Sequence, residues 1–157
     1  MVHPEQALIQ GVIVSPLARI QDDRGSVMRM LRRTDPWFSE FGEVYFSTVY
    51  PGVVKGWHLH ERMELNYACV VGTVRLVLHD ARPGSPTRGL TMVVHIGERN
   101  YALVKIPPGI WNGFKNIGLV EAVVANCASM PHDPAEIRRL PPHGDGQIPY
   151  DWTTRDG

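Results

Sequence analysis

Two histidines one residue apart, His58 and His60, followed by Glu64, make the stretch Lys55–Gly72 the densest concentration of chemistry in this 157-residue sequence. A neutral imidazole takes up a proton near physiological pH and also ligates divalent metals. Two imidazoles beside a carboxylate therefore suit either proton transfer or a metal centre. As a metal site, His58, His60 and Glu64 would form a two-histidine, one-carboxylate set with open positions, fit for a divalent iron, manganese, zinc or nickel ion. As an acid–base site, one histidine would suffice and the other residues would line the pocket.

Either chemistry needs His58 and His60 on one surface. A β-strand provides this, because successive side chains point to opposite faces. His58 and His60 then share one face, with Trp57 and Leu59 on the other. The rest of the chain supplies the sheet. Its 15 glycines and 13 prolines punctuate short runs rich in valine, isoleucine and leucine, the pattern of a β-sandwich or barrel. Strands are expected at 11–14, 26–31, 43–50, 56–60, 65–71, 73–79, 91–96, 102–106, 113–116 and 121–128. Many alternate with period two: in the segment from Thr73, Val74, Leu76 and Leu78 face one way, and Thr73, Arg75 and His79 the other. Helical periodicity is weak. Asp35-Pro-Trp-Phe could form one turn, and Asp133-Pro-Ala-Glu136 opens a short helix running to Leu140, with Asp133 as N-cap and Pro134 at the first helical position. Asp22-Asp-Arg-Gly25 reads as a tight turn, and residues 141–157 as an irregular tail over the surface.

Composition excludes several classes. Lys+Arg and Asp+Glu both number 16, so no net charge favours nucleic acid or an anionic membrane. No apolar run spans a bilayer, and the N-terminus lacks a basic segment before a long apolar one. We expect a cytoplasmic chain forming one domain over 1–157. Cys69 and Cys127 sit in apolar runs without metal-knuckle spacing and read as buried free thiols. His79 and His95 fall on strands as polar surface or pocket residues, and His3, His132 and His143 carry no spacing argument.

Two sets of words in the sequence are shared with known families. His58, His60, Glu64 and Gly72, followed by Pro107, Gly109 and Asn116, resemble the two motifs of the cupin superfamily. That resemblance implies an all-β fold, a jelly-roll β-barrel (double-stranded β-helix) with short peripheral helices. More narrowly, Asp22-x-Arg24-Gly25, Lys55-Gly-Trp-His58, Asp80-x-Arg82-x-x-Ser-Pro-Thr87 and Ile106-Pro-Pro-Gly-Ile-Trp-Asn-Gly-Phe114 resemble, in order, the motifs of the dTDP-4-dehydrorhamnose 3,5-epimerase family. The resemblance implies a homodimer that epimerises or isomerises a nucleotide-linked 4-keto sugar in polysaccharide biosynthesis, without a cofactor. His58 would be the general base.

Several positions depart from that family. Lys55 stands for an arginine, Arg29 for a glutamate and Asn112 for a histidine. The family's lysine falls near Leu65 and Asn66, its acidic tyrosine near Asn126, and the carboxylate behind its histidine has no match. The general acid must then come from Tyr67, Tyr101 or Tyr45, and Tyr67 is taken for the role. Arg24, Lys55, His60, Asn66, Arg82, Trp111 and Asn112 are taken as substrate-binding residues. Two other functions stay open: a metal-dependent cupin enzyme using His58, His60 and Glu64, and a non-catalytic nucleotide-sugar-binding protein. Each residue also has a plainer reading. Glu64 could pair with Arg62 or Arg75, Trp57, Trp111 and Phe114 could be packing, and Arg24, Arg82 and Lys55 could be strand-end charges.

Overall fold

The computed structural model describes residues 8–144 and 146–156; His3 lies outside them. Ten strands form two antiparallel five-stranded sheets. The first has the order β1 (Ile13–Pro16), β9 (Ala102–Ile106), β6 (Leu65–Val71), β11 (Ala122–Ala128), β4 (Glu43–Val49). The second has the order β12 (Ile137–Arg139), β5 (Val54–His60), β10 (Ile110–Asn116), β7 (Thr73–Asp80), β8 (Thr91–Gly97). A separate hairpin pairs β2 (Arg19–Asp22) with β3 (Gly25–Met28). Sequence neighbours are spread over both sheets, so the architecture is the expected jelly-roll. No helix among the described residues is long and apolar enough to cross a membrane.

Period-two alternation places the core. Val74, Leu76 and Leu78 of β7 join Leu65, Tyr67, Cys69, Val104, Ile106, Phe114 and Val124 in one buried cluster between the sheets. Residues of the opposite parity on the second sheet build a smaller cluster on its outer face. There Trp57 and Val77 are covered by Ile148 and Trp152 of the tail, with Trp111, Leu140 and Tyr150 packed alongside. Trp57 and Trp152 lie 5.1 Å apart between ring centroids. The tail is irregular, as expected, but it is also a structural strap. Arg75 and Lys115 both donate to the Trp152 carbonyl.

Four local expectations change. Residues 134–140 are not a helix. Pro134–Glu136 form one 3-10 turn capped by Asp133, which accepts from the Ala135 N–H at 2.9 Å. The chain then pairs as β12 along β5, because the free edge of β5 offers backbone partners that a two-turn helix would forgo. Around Asp35 there is a turn without a helix, with the Asp35 carboxylate accepting from Arg32. Arg19–Asp22 is a strand that periodicity did not single out. Cys69 is a buried free thiol, whereas Cys127 is only half-buried.

Candidate active site

A cavity of about 650 Å³ opens between the two sheets at the end where β5, β12, β4 and β6 meet. One wall is β5. His60 and His58 face the cavity, while Trp57 turns into the outer cluster, as strand alternation requires. Lys55 is three residues before His58, and in a regular strand it would point away. A β-bulge corrects this. Asn112 pairs with His58 and Phe114 with Lys55, so β5 uses one residue more than β10 over this interval. Lys55 thereby joins the histidines on the cavity face, its Nζ bonded to Ser47 Oγ at 2.9 Å.

The two histidines have different surroundings. His58 carries no hydrogen bond to its ring among the described residues. Burial, then the charges of Arg139, His60 and Lys55, push it down to about 4. It is therefore a neutral imidazole, able to accept a proton, at any pH well above that value. His60 is buried, and its Nδ1 lies 2.5 Å from Glu136 Oε1. Glu136 is also buried, and its other oxygen accepts from the Arg62 and Met63 N–H groups. Burial alone would raise the Glu136 carboxyl, but these three hydrogen bonds outweigh it and hold the carboxyl below its ordinary value.

The opposite wall carries two tyrosines. On β11, Asn126 pairs in register with Tyr45 of β4 on one side and Tyr67 of β6 on the other. Asn126 stands where a tyrosine was expected, and its Nδ2 donates to the Tyr45 hydroxyl at 2.9 Å. The phenol is thus supplied from the flanking strands. Tyr67 donates to Asn112 Oδ1 at 3.2 Å, and Asn112 Nδ2 donates to the His58 carbonyl at 3.1 Å, so one amide ties the two walls together. Burial and the neighbouring Tyr45 push Tyr67 well above its ordinary value. Tyr45 is raised too, chiefly by burial, against the opposing hydrogen bonds from Asn126 and Tyr67.

Of the residues singled out from the sequence, Tyr45, Lys55, His58, His60, Tyr67 and Phe114 meet in this cavity. Asn112 lies behind it as a tie. The others are elsewhere. Arg24 is exposed on the β2–β3 hairpin and bonded to Asp22. Arg82 is clamped by the buried Asp80 and the Gln10 carbonyl. Asn66 is buried beside Tyr67, donating to the Cys127 carbonyl. Trp111 packs in the outer cluster under the tail, because its parity on β10 is opposite to that of Asn112. Tyr101 does not line the cavity.

The metal set is not assembled. Glu64 bonds Lys105 at 2.8 Å and Ser39 at 2.6 Å, while the carboxylate that reaches His60 is Glu136. Glu64 pairs with neither Arg62, which takes Asp133, nor Arg75. No group of three or more metal-ligating side chains occurs among the described residues. These donors do not fit the two-histidine, one-carboxylate centre. Sequence reasoning missed Glu136, Arg139 and His132. Only the Asp-Pro-x-Glu pattern points to the first, and as sequence it signals a helix start capped by Asp133.

Known proteins resemble this chain over nearly its whole length. The sequence pattern of the dTDP-4-dehydrorhamnose 3,5-epimerase family matches residues 6–156. The spore coat polysaccharide biosynthesis protein SpsL of Bacillus subtilis is 32% identical over 149 residues, 94% of this chain and 98% of that protein. The probable low-salt glycan biosynthesis epimerase Agl13 of Haloferax volcanii is 34% identical over 150 residues, 91% of this chain and 89% of that protein. The crystal structure of a dTDP sugar isomerase from Desulfovibrio desulfuricans superposes with a TM-score of 0.89 at 42% identity, covering 94% of each chain.

Proposed function

The chain belongs to the dTDP-4-dehydrorhamnose 3,5-epimerase family, and on that premise we propose that it moves a proton at a carbon beside the keto group of a nucleotide-linked 4-keto sugar, with His58 as base. The observation that carries the reading is the opposition of a neutral histidine and a tyrosine pair across one cavity. A carbon next to a carbonyl loses its proton to give an enolate. His58 takes that proton on one wall. Return of a proton to the same carbon from a phenol on the other wall inverts the centre. The cavity volume is in the range of sugar and cofactor pockets. Lys55 and Arg139 place positive charge at its rim, suited to a diphosphate. Tyr45, the more accessible of the two phenols, is the acid, with Tyr67 behind it.

The reaction so drawn needs no metal or cofactor, since the electrons stay within the substrate. Val44 and Phe46, exposed apolar side chains of edge strand β4, fit pairing with a second copy of the chain. Sedimentation equilibrium tests this and should give twice the chain mass.

The catalytic reading is tested with His58→Asn in deuterated buffer, using a panel of dTDP-linked 4-keto-6-deoxyhexoses and detecting label on carbon by mass spectrometry. Wild type should incorporate deuterium, and the variant should bind dTDP yet lose roughly 10³-fold in rate, within the range of acid–base catalysis. Undiminished wash-in would sink the assignment. Binding without wash-in by wild type would favour a sugar-binding protein.

A further inference from the structure

His58 is the base, so the second histidine of the pair lacks a role. His60 and Glu136 are both buried, sit 2.5 Å apart, and come from positions 76 residues apart in the chain. Removing a histidine and a carboxylate from water is costly unless each is fully bonded. Glu136 is fully bonded: His60 takes one oxygen, and the Arg62 and Met63 N–H groups share the other. His60 is bonded on one side only. With Nδ1 held by Glu136, Nε2 is the ring nitrogen left for the cavity that His60 lines.

A carboxylate behind a histidine fixes the tautomer and ring orientation and stabilises the imidazolium. The same strand face holds His58 two residues earlier, about 7 Å along the strand. The carbon that His58 deprotonates and the carbonyl oxygen beside it are neighbours in the substrate. A proton-bearing nitrogen next to the base therefore falls where negative charge develops. Lys55 is engaged by Ser47, and Arg139 lies on β12 toward the rim. An ammonium and a guanidinium are both far weaker acids than an imidazolium.

We propose that His60, held as an imidazolium by Glu136, is a second catalytic residue that protonates the substrate's carbonyl oxygen as His58 removes the adjacent carbon-bound proton. Glu136 is its positioning residue. The inference rests on the reading of His58 as base. The electron pair of the broken C–H bond forms the C=C bond, and the carbonyl π pair moves to oxygen. The Nε2 proton of His60 transfers to that oxygen, leaving a neutral enol and an imidazole that still donates Nδ1–H to Glu136. When the tyrosine wall protonates the carbon, the enol proton returns to His60 and the carbonyl re-forms.

The test combines Glu136→Gln and His60→Gln with His58→Asn. Each is assayed for deuterium wash-in with a dTDP-linked 4-keto-6-deoxyhexose, for dTDP affinity by calorimetry, and for histidine protonation by nitrogen-15 NMR. In wild type both ring nitrogens of His60 should be protonated at neutral pH. Glu136→Gln should remove one of those protons and lower kcat by about 10²–10⁴-fold, with KM and dTDP affinity unchanged. His60→Gln leaves the backbone contacts of Glu136 in place and should show the same split, which guards against a folding defect in the first variant. The proposal is overturned if either variant binds dTDP and keeps wild-type kcat, or if His60 is neutral in wild type with Nε2 bare. Persistent exchange in His58→Asn would instead remove the base reading.

Discussion

Arg139 of β12 sits directly across from His58 of β5 in the antiparallel register. Of the charges around His58, that of Arg139 has the largest effect, second only to burial, in pressing the imidazole down to about 4. The base form of His58 exists above this value and disappears below it. Arg139→Met should therefore raise the His58 value, measured through its ring carbon-bound protons by NMR. The acid limb of the rate profile should move to higher pH. An unmoved titration would show that Arg139 is screened by solvent.

The same shift has a consequence for stability. His58 ordinarily titrates near 6.5 in an unfolded chain and near 4 in the fold. Between these values the unfolded state binds more protons, so stability falls as pH drops from about 6.5 toward 4. His58→Gln should flatten that part of the denaturation profile. An unchanged slope between pH 4 and 6.5 would assign the loss to other groups.

Tyr45 and Tyr67 flank Asn126 on the wall facing His58. If Tyr45 returns the proton, Tyr45→Phe should keep exchange of the carbon-bound proton with solvent through His58 while losing the inverted product, by roughly 10²-fold or more. Tyr67→Phe should cost less in turnover, though it removes the buried hydrogen bond to Asn112 and about 1 kcal/mol of stability with it. Product stereochemistry by NMR separates the two, and a larger turnover defect in Tyr67→Phe would reverse the assignment.

Asp80 is fully buried and accepts from Arg82, Ser85 and Thr87. This network closes the loop between β7 and β8 and, through Arg82 and Gln10, holds the segment before β1. Asp80→Asn should destabilise the fold by about 3–5 kcal/mol, as expected when one partner of a buried pair is removed. Arg82→Met should lower stability without altering KM for the nucleotide sugar. A selective rise in KM would return Arg82 to the substrate.

Glu64 is spent on Lys105 and Ser39, away from the histidines. Glu64→Gln and prolonged chelation should each leave turnover intact. Loss of activity restored by one added divalent metal would reinstate a metal centre.

Much of this molecule was legible as a string. Period-two runs marked most strands, and the spacing of His58 and His60 placed them on one face, since strand alternation is a local property of the backbone. The order of short words identified the family. Where the string failed, the cause was long-range pairing. Trp111 and Asn112 are adjacent, and only the register of β10 decides that the amide faces inward while the indole goes under the tail. Lys55 reaches the cavity because a bulge, set by pairing with β10, breaks the alternation. As sequence, Glu136 reads as part of a helix's first turn; the pairing of β12 with β5 brings its carboxylate to His60 instead. Sequence alone thus determined the sheet-forming pattern, the family and the histidine proposed as base. The tertiary structure decided which carboxylate, cation and phenols stand around that base, because those groups meet only when strands far apart in the chain pair and the two sheets close on each other.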